Sequence, residues 1–518
     1  MKIKISTIVF LAFFISSCNK DFLEKTPQDA LSPEVFYTDA VNLETGLAGI
    51  YDALQDRAFF GSLPELDGIT DNGIPGGTAE LADFINFGKG IVTASSQPKI
   101  PEIYQSAYQV IQRANLLIAN VNNPGSITPA IRTTVEYEAR GLRALAYMRL
   151  GYLFGNVPLV TVPLNRTDAV SLTTDSNADM IDFVLKELAE VAAKLTVKPY
   201  NNQVGRFTKI AALAFSAKVL VFEARKGKKP WSEALTALKE VTTLADANGV
   251  KLFTTGDGTN GQVNFETLFS LKGENNTEIL FAVKSNQADP LKSLYNFYSP
   301  AGGNLEISVH TNLVNDFYTN DGLSITNPAS IYTAATPYAN RDPRLQASIM
   351  VSGTTYSNGL QQVVFNGRIA NARLQTNFAV RKGVTLDGLT PNRGELDAIV
   401  LRYADLLLLL AEAENEVNGP TISAYNAINK VRARVKMPNV PANLAKEAFR
   451  AEVLHERRVE LAFEGHRWYD LVTSGIADKA INGIKELDRA FVPNKQELFP
   501  IPQSELDLNP KLQQNPGY

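Results

Sequence analysis

Cysteine is almost missing from this chain: Cys18 is the only one in 518 residues. That excludes an intrachain disulfide framework and every Cys-based zinc site. Three histidines, His310, His455 and His466, leave little from which to build a His-rich metal centre. Two tryptophans exclude a binding platform made mainly of indole rings, so Tyr and Phe must supply any stacking. An excess of one charge is lacking too. Fifty Lys plus Arg against 54 Asp plus Glu give a net charge of −4, so no global basic field exists to hold a nucleic acid. Catalytic signatures are equally scarce. His455-Glu456-Arg457-Arg458 begins like a zinc-protease helix but lacks the second His four positions on, where a helix would put both ligands on one face. Neither a Gly-x-Ser-x-Gly elbow nor a P-loop occurs, and no catalytic residue, metal or cofactor is expected.

What is present starts with an ordinary globular balance, 45% hydrophobic and 20% charged residues. Lys2 and Lys4 precede the apolar run Ile8 to Ile15, which falls well short of the ~20 residues needed to span a bilayer. This is a secretion signal. Ile15-Ser16-Ser17-Cys18 resembles a lipobox, so residues 1–17 are expected to be removed and Cys18 to be acylated. Each buried methylene of an acyl chain contributes about 0.8 kcal/mol, enough for several chains to anchor an otherwise water-soluble protein.

Helical signals dominate the remainder. Periodic stretches run from Asp39 to Gln55, Ile103 to Val121, Thr128 to Phe154, Asp179 to Leu195, Thr208 to Lys226 and Trp231 to Ala247. Ala211, Ala214 and Ala217 permit close helix approach. Between Leu63 and Pro101 six glycines, with Pro75, read as a long surface loop region. Residues 253–395 are rich in Asn, Thr, Tyr and Gly, with strand-like runs at Glu278 to Val283 and Gln361 to Phe365. Helix resumes at Ile399 to Asn418, Ser423 to Lys436 and Leu444 to Thr473. The expected fold is mainly α: tetratricopeptide-like helix pairs form a scaffold, interrupted by a loop-rich irregular insertion with a few short strands. Its expected units are 18–252 (N-terminal scaffold), 253–395 (irregular lobe) and 396–518 (C-terminal helices completing the scaffold).

In the last of these helices Leu454, Leu461 and Trp468 recur every seven residues, which predicts a buried stripe. Glu456, Arg457, Glu460, Glu464 and Arg467 stand at spacings that allow ion pairs one turn apart, which reads as a charged flank. The blocks Leu401-Arg402-Tyr403-Ala404-Asp405-Leu406 and Glu456-Arg457-Arg458-Val459-Glu460-Leu461-Ala462-Phe463-Glu464-Gly465-His466-Arg467-Trp468 carry a further signal. With Asn340-Arg341-Asp342-Pro343-Arg344-Leu345, Gly155-Asn156-Val157-Pro158-Leu159, Gly205-Arg206-Phe207-Thr208 and the ending Asn515-Pro516-Gly517-Tyr518, the sequence resembles the SusD/RagB family of Bacteroidetes outer-membrane lipoproteins.

The resemblance implies a cell-surface lipoprotein that captures oligosaccharides and delivers them to a SusC-like TonB-dependent outer-membrane transporter. Peptide capture on the same scaffold is the alternative, and a glycoside hydrolase a more distant one. Tyr403, Asp405, Arg458 and Trp468 are implied framework positions. A pyranose offers an apolar C–H face and a rim of hydroxyls, so its site needs rings beside amides or carboxylates on loops. Two regions have that composition. Phe59 to Phe87 contributes Asp67, Asp71, Asn72, Phe84 and Phe87, and the insertion contributes Tyr295, Asn296, Phe297, Tyr298 and Tyr332.

Overall fold

The computed structural model describes residues 33–61, 63–77, 79–285, 307–358, 361–367, 374–384, 396–486 and 488–518. Among the described residues, nine longer helices carry the architecture: α1 (Ala40–Leu54), α2 (Lys99–Asn120), α3 (Pro129–Phe154), α4 (Asn177–Lys194), α5 (Lys209–Arg225), α6 (Trp231–Ala247), α7 (Tyr403–Asn418), α8 (Ile422–Arg434) and α9 (Lys446–Leu461). Their starts follow from local chemistry. Asp39, Thr128, Ser176, Thr208 and Thr421 each accept a hydrogen bond from a backbone N–H of the first turn, satisfying a donor the helix itself leaves open.

From α2 to α8 each helix packs on the next, and α7 also packs on α9. The mainly helical, tetratricopeptide-like arrangement is therefore present, with α6 against α7 joining its two parts across the insertion. Helix α5 lies in the middle of the layer. Its Ala211, Ala214 and Ala217 are fully buried, as are Leu142, Leu145 and Leu153 of α3. One apolar cluster extends from Tyr37 to Ile501.

Strands are short. β1 (Gly73–Pro75), β3 (Ile307–Val309), β7 (Ala379–Val380) and β4 (Ile349–Met350) form one sheet in the order β1-β3-β7-β4. β2 (Ile279–Val283) pairs with β8 (Ala398–Arg402), and β5 (Thr355–Asn358) with β6 (Gln361–Val364).

Three expectations need correction. The stretch 63–101 is no surface loop: it holds helices Leu63–Asp67 and Ala82–Gly88, strand β1 and the start of α2, and residues 63–76 are buried throughout. Gly68 and Gly73 serve close packing; a Cβ on Gly68 would stand 2.8 Å from the Ile307 side chain, and one on Gly73 2.9 Å from the Ser308 carbonyl oxygen. Residues 399–402 are strand, because Ile399-Val400-Leu401 pairs with β2, and α7 starts only at Tyr403. Finally, 444–473 is not one helix. α9 ends at Leu461, the backbone turns through Phe463 (φ 63°) and Gly465 (φ 75°), and a separate helix, α10 (Arg467–Thr473), begins. The seven-residue stripe is thus broken. Trp468 is buried all the same, edge-on to Phe87 at 5.3 Å and stacked on Phe499 at 6.1 Å.

Candidate functional site: a charged cleft beside α2

Of the residues chosen from composition, Cys18 and the run Tyr295, Asn296, Phe297, Tyr298 lie outside the described residues. Tyr332 is half-buried, with the Arg341 guanidinium 5.7 Å from its ring centre. The five from the first region are framework in this structure. Phe84 and Phe87 sit in the aromatic core with Phe499. Asp67 accepts from the Asn72 side chain at 2.7 Å and from the N–H groups of Phe463 and Gly465 at 3.2 and 3.0 Å, so it clamps the turn between α9 and α10. Burial pushes its carboxyl up to about 6 despite those bonds. Asp71 accepts a two-pronged pair from Arg467, both bonds 2.8 Å, and pairs with Arg458 at 3.1 Å. Burial alone would raise it, but the two guanidiniums outweigh that and hold it well below the ordinary carboxylate range. Asn72 in turn accepts from Arg458. Composition cannot tell such acids and rings from loop residues; burial decides.

The expected charged flank is also interior. Glu460 receives Arg402 at 2.5 Å, Arg344 at 2.9 Å and Arg434; Glu456 receives Arg344 at 2.5 Å and Arg432 at 2.9 Å. Glu464 holds Arg402 at 2.7 Å and Lys382 at 2.8 Å. These partners come from other elements, not from the next turn, and the carboxylates are buried. A second group joins Asp405 to Lys218 and Arg457, and Asp470 to Arg457 and Arg225. His455, first residue of the zinc-protease-like run, stacks on Tyr318 at 4.0 Å and bonds the Asp316 carbonyl oxygen. Among the described residues, no group of three or more His, Cys, Asp and Glu side chains could hold a metal ion.

The surface offers a different arrangement. A cleft of about 580 Å³ lies along α2, lined by Asp56, Arg57, Glu80, Lys99, Gln105 and Gln109, with Pro98, Glu102 and Ser106 completing it. Arg57 bridges Glu80 at 2.6 Å and Glu65 at 2.9 Å. Lys99 bridges Glu65 at 3.3 Å and Glu102 at 3.2 Å. The result is one chain of alternating charge, Glu80–Arg57–Glu65–Lys99–Glu102, in which Glu65 and Lys99 are buried, Arg57 is half-buried, and the outer carboxylates, with Asp56, Gln105 and Gln109, face solvent. Fixed acceptors and donors of this kind suit a ligand with many hydroxyls. No ring lines the cleft among the described residues.

The register of the first sheet bears on its surroundings. Pro75 pairs with Ile307, so the chain that runs on to Glu80 leaves this sheet beside Ile307, the first residue of β3. The other flank of α2 borders a more apolar cavity of about 510 Å³, with Tyr104, Tyr108, Val160, Leu164, Leu508 and Leu512 in its wall; Gln105 belongs to both. Sequence reasoning missed the cleft. Lys99 and Glu102 carry a readable three-residue spacing, but Arg57 and Glu80 are 23 positions apart and have none.

Two family models match: one described as "SusD family" over residues 277–518, the other as "Starch-binding associating with outer membrane" over residues 21–221. The chain belongs to the SusD/RagB family. It is 27% identical to the SusD-like protein P25 of Formosa agariphila over 98% of each chain. Among solved structures, a SusD-like protein from Bacteroides fragilis is 22% identical, with a TM-score of 0.79 over 95% of this chain and 100% of that one. A laminarin-binding SusD-like protein is 25% identical, with a TM-score of 0.67 over 93% and 100%. Of the buried ionic residues, Asp342, Arg344, Arg402, Asp405, Glu456, Arg457, Glu460 and Glu464 lie in the blocks that carry the resemblance. No helix among the described residues is long and apolar enough to cross a membrane.

Proposed function

We propose that this protein is a cell-surface lipoprotein that captures oligosaccharides and delivers them to a SusC-like TonB-dependent outer-membrane transporter, with no bond made or broken. The observation that carries the reading is the pre-formed chain Glu80–Arg57–Glu65–Lys99–Glu102 along an open cleft. Carboxylates held in place by Arg57 and Lys99 lose little freedom when they accept hydrogen bonds from a sugar's hydroxyls. The laminarin-binding relative and the starch-binding description of the N-terminal family model support a carbohydrate over a peptide. The outer-membrane wording of that description supports the location, and Ile15-Ser16-Ser17-Cys18 supports an acyl anchor at Cys18. Binding of about millimolar to micromolar affinity, roughly −4 to −8 kcal/mol, would suffice on a multivalent polymer.

Calorimetry of residues 19–518 with a panel of oligosaccharides and peptides tests the proposal. Oligosaccharide binding without release of shorter products is the expected result; peptide-only binding or turnover would overturn it. The composition of Tyr295 to Tyr298 supports a ring contribution from the insertion. Tyr295→Ala with Tyr298→Ala should weaken binding several-fold without shifting the melting temperature, and unchanged binding removes that patch. Palmitate labelling that is lost in Cys18→Ala tests the anchor.

A further inference from the structure

We infer, building on the glycan-binding reading, that the cleft beside α2 selects uncharged sugar chains and rejects polyanionic ones, whether sulfated or uronic. The argument is one of charge placement. Along the chain Glu80–Arg57–Glu65–Lys99–Glu102, each of the two cations has a carboxylate on both sides. Lys99 and the central Glu65 each expose only 3% of their side chains, so the ammonium cannot swing out to meet a ligand anion. The charges the cleft shows to solvent are mainly its outer acids: Glu80 and Glu102 expose 56% and 49% of their side chains against 21% for Arg57, and Asp56 is exposed beside them. A sulfate or uronate is recognised by an Arg or Lys whose donors point at it. Here those donors already hold carboxylates, and an incoming anion meets like charge at the rim. A neutral pyranose faces no such penalty. Its vicinal hydroxyls can donate to the carboxylates, while the exposed amides of Gln105 and Gln109 can both donate and accept. The net charge of −4 adds no long-range attraction for a polyanion.

The test is a matched series of oligosaccharides of equal length: neutral β- and α-glucans, oligouronates and sulfated galactans. Each is titrated into residues 19–518 at low and at high salt. Neutral chains should bind at least about tenfold more tightly than polyanionic ones, and the gap should narrow as salt rises. Glu80→Gln with Glu102→Gln should also narrow it, at unchanged melting temperature. Should that pair of substitutions lower the melting temperature, Asp56→Asn, which leaves the ion-pair chain intact, replaces it with the same expected direction. A polyanionic chain that binds more tightly than every neutral one overturns the inference and leaves glycan capture standing. So does a gap that ignores both salt and the substitutions. Failure of all oligosaccharides to bind overturns glycan capture itself and the inference with it.

Discussion

Where α3, α4 and α5 meet, most buried side chains are apolar, with Arg140 and Arg143 on Glu187 as a local ionic exception; where β8, α8 and α9 meet, the contacts are guanidinium and carboxylate. The second region is balanced in charge. Arg344, Lys382, Arg402, Arg432 and Arg434 face Glu278, Asp342, Glu456, Glu460 and Glu464 in one buried network. A smaller one sets Lys218, Arg225 and Arg457 against Asp405, Glu412 and Asp470. Taking ions out of water costs several kcal/mol each, so such networks add little net stability over an apolar core. Their gain is geometric. Arg402 joins Glu278 ahead of β2 to Glu460 on α9 and Glu464 in the turn after it, and a fork of fixed donors permits one arrangement where a hydrophobic face permits several. The apolar layer fixes which helices pack; the ionic centre fixes how the insertion joins them.

The sharpest way to break this contrast is to remove one member of the larger network. Arg402→Met leaves Glu278, Glu460 and Glu464 short of a partner and should cost about 3–5 kcal/mol in urea unfolding; a loss below about 1 kcal/mol would show the acids to be solvated. Leu145→Ala, fully buried in α3, should cost about 2–4 kcal/mol by the cavity it leaves. The two variants should differ in salt response, with only the ionic one sensitive to its medium. Asp67 gives a smaller, pH-dependent effect. Its folded pKa of about 6 lies above the usual value, so its contribution to stability is full below about pH 4 and is lost as pH rises through about 6. Asp67→Asn should therefore gain on the wild type by about 2–3 kcal/mol between pH 4 and pH 7. Asp71, Asp470 and Glu460 have the opposite sign: lowered pKa values stabilise above the ordinary carboxylate range, and that contribution is lost as the pH falls below it. A flat melting-temperature difference for Asp67→Asn across that interval would place its carboxyl in water.

The helical layer was legible because its signals are local. Thr128 before Pro129 and Thr208 before the alanine stripe announce helix starts from neighbours alone. The ionic centre was not, since Arg402 and Glu460 are 58 positions apart and nothing near either states that it is buried. Gly68 and Gly73 misled for a related reason: a glycine that lets a backbone approach and a glycine that loosens a loop look the same in sequence. The break before α10 was written in Gly465, yet the heptad through Trp468 outweighed it. In the candidate cleft, Lys99 and Glu102 share a helix turn, whereas Arg57 and Glu80 converge only through the tertiary fold.

The pairing of Asp71 with Arg467 has a consequence for how the molecule comes into being. Its two ends are separated by 396 residues, and emergence at about 5–20 residues per second puts roughly 20–80 s between the acid and the base that neutralises it. Asp67 waits equally long for the turn it clamps. A nascent chain can stack its first coils early, but it cannot close its interior until its final tenth is out. Any truncation that ends before that point should leave a protease-sensitive intermediate.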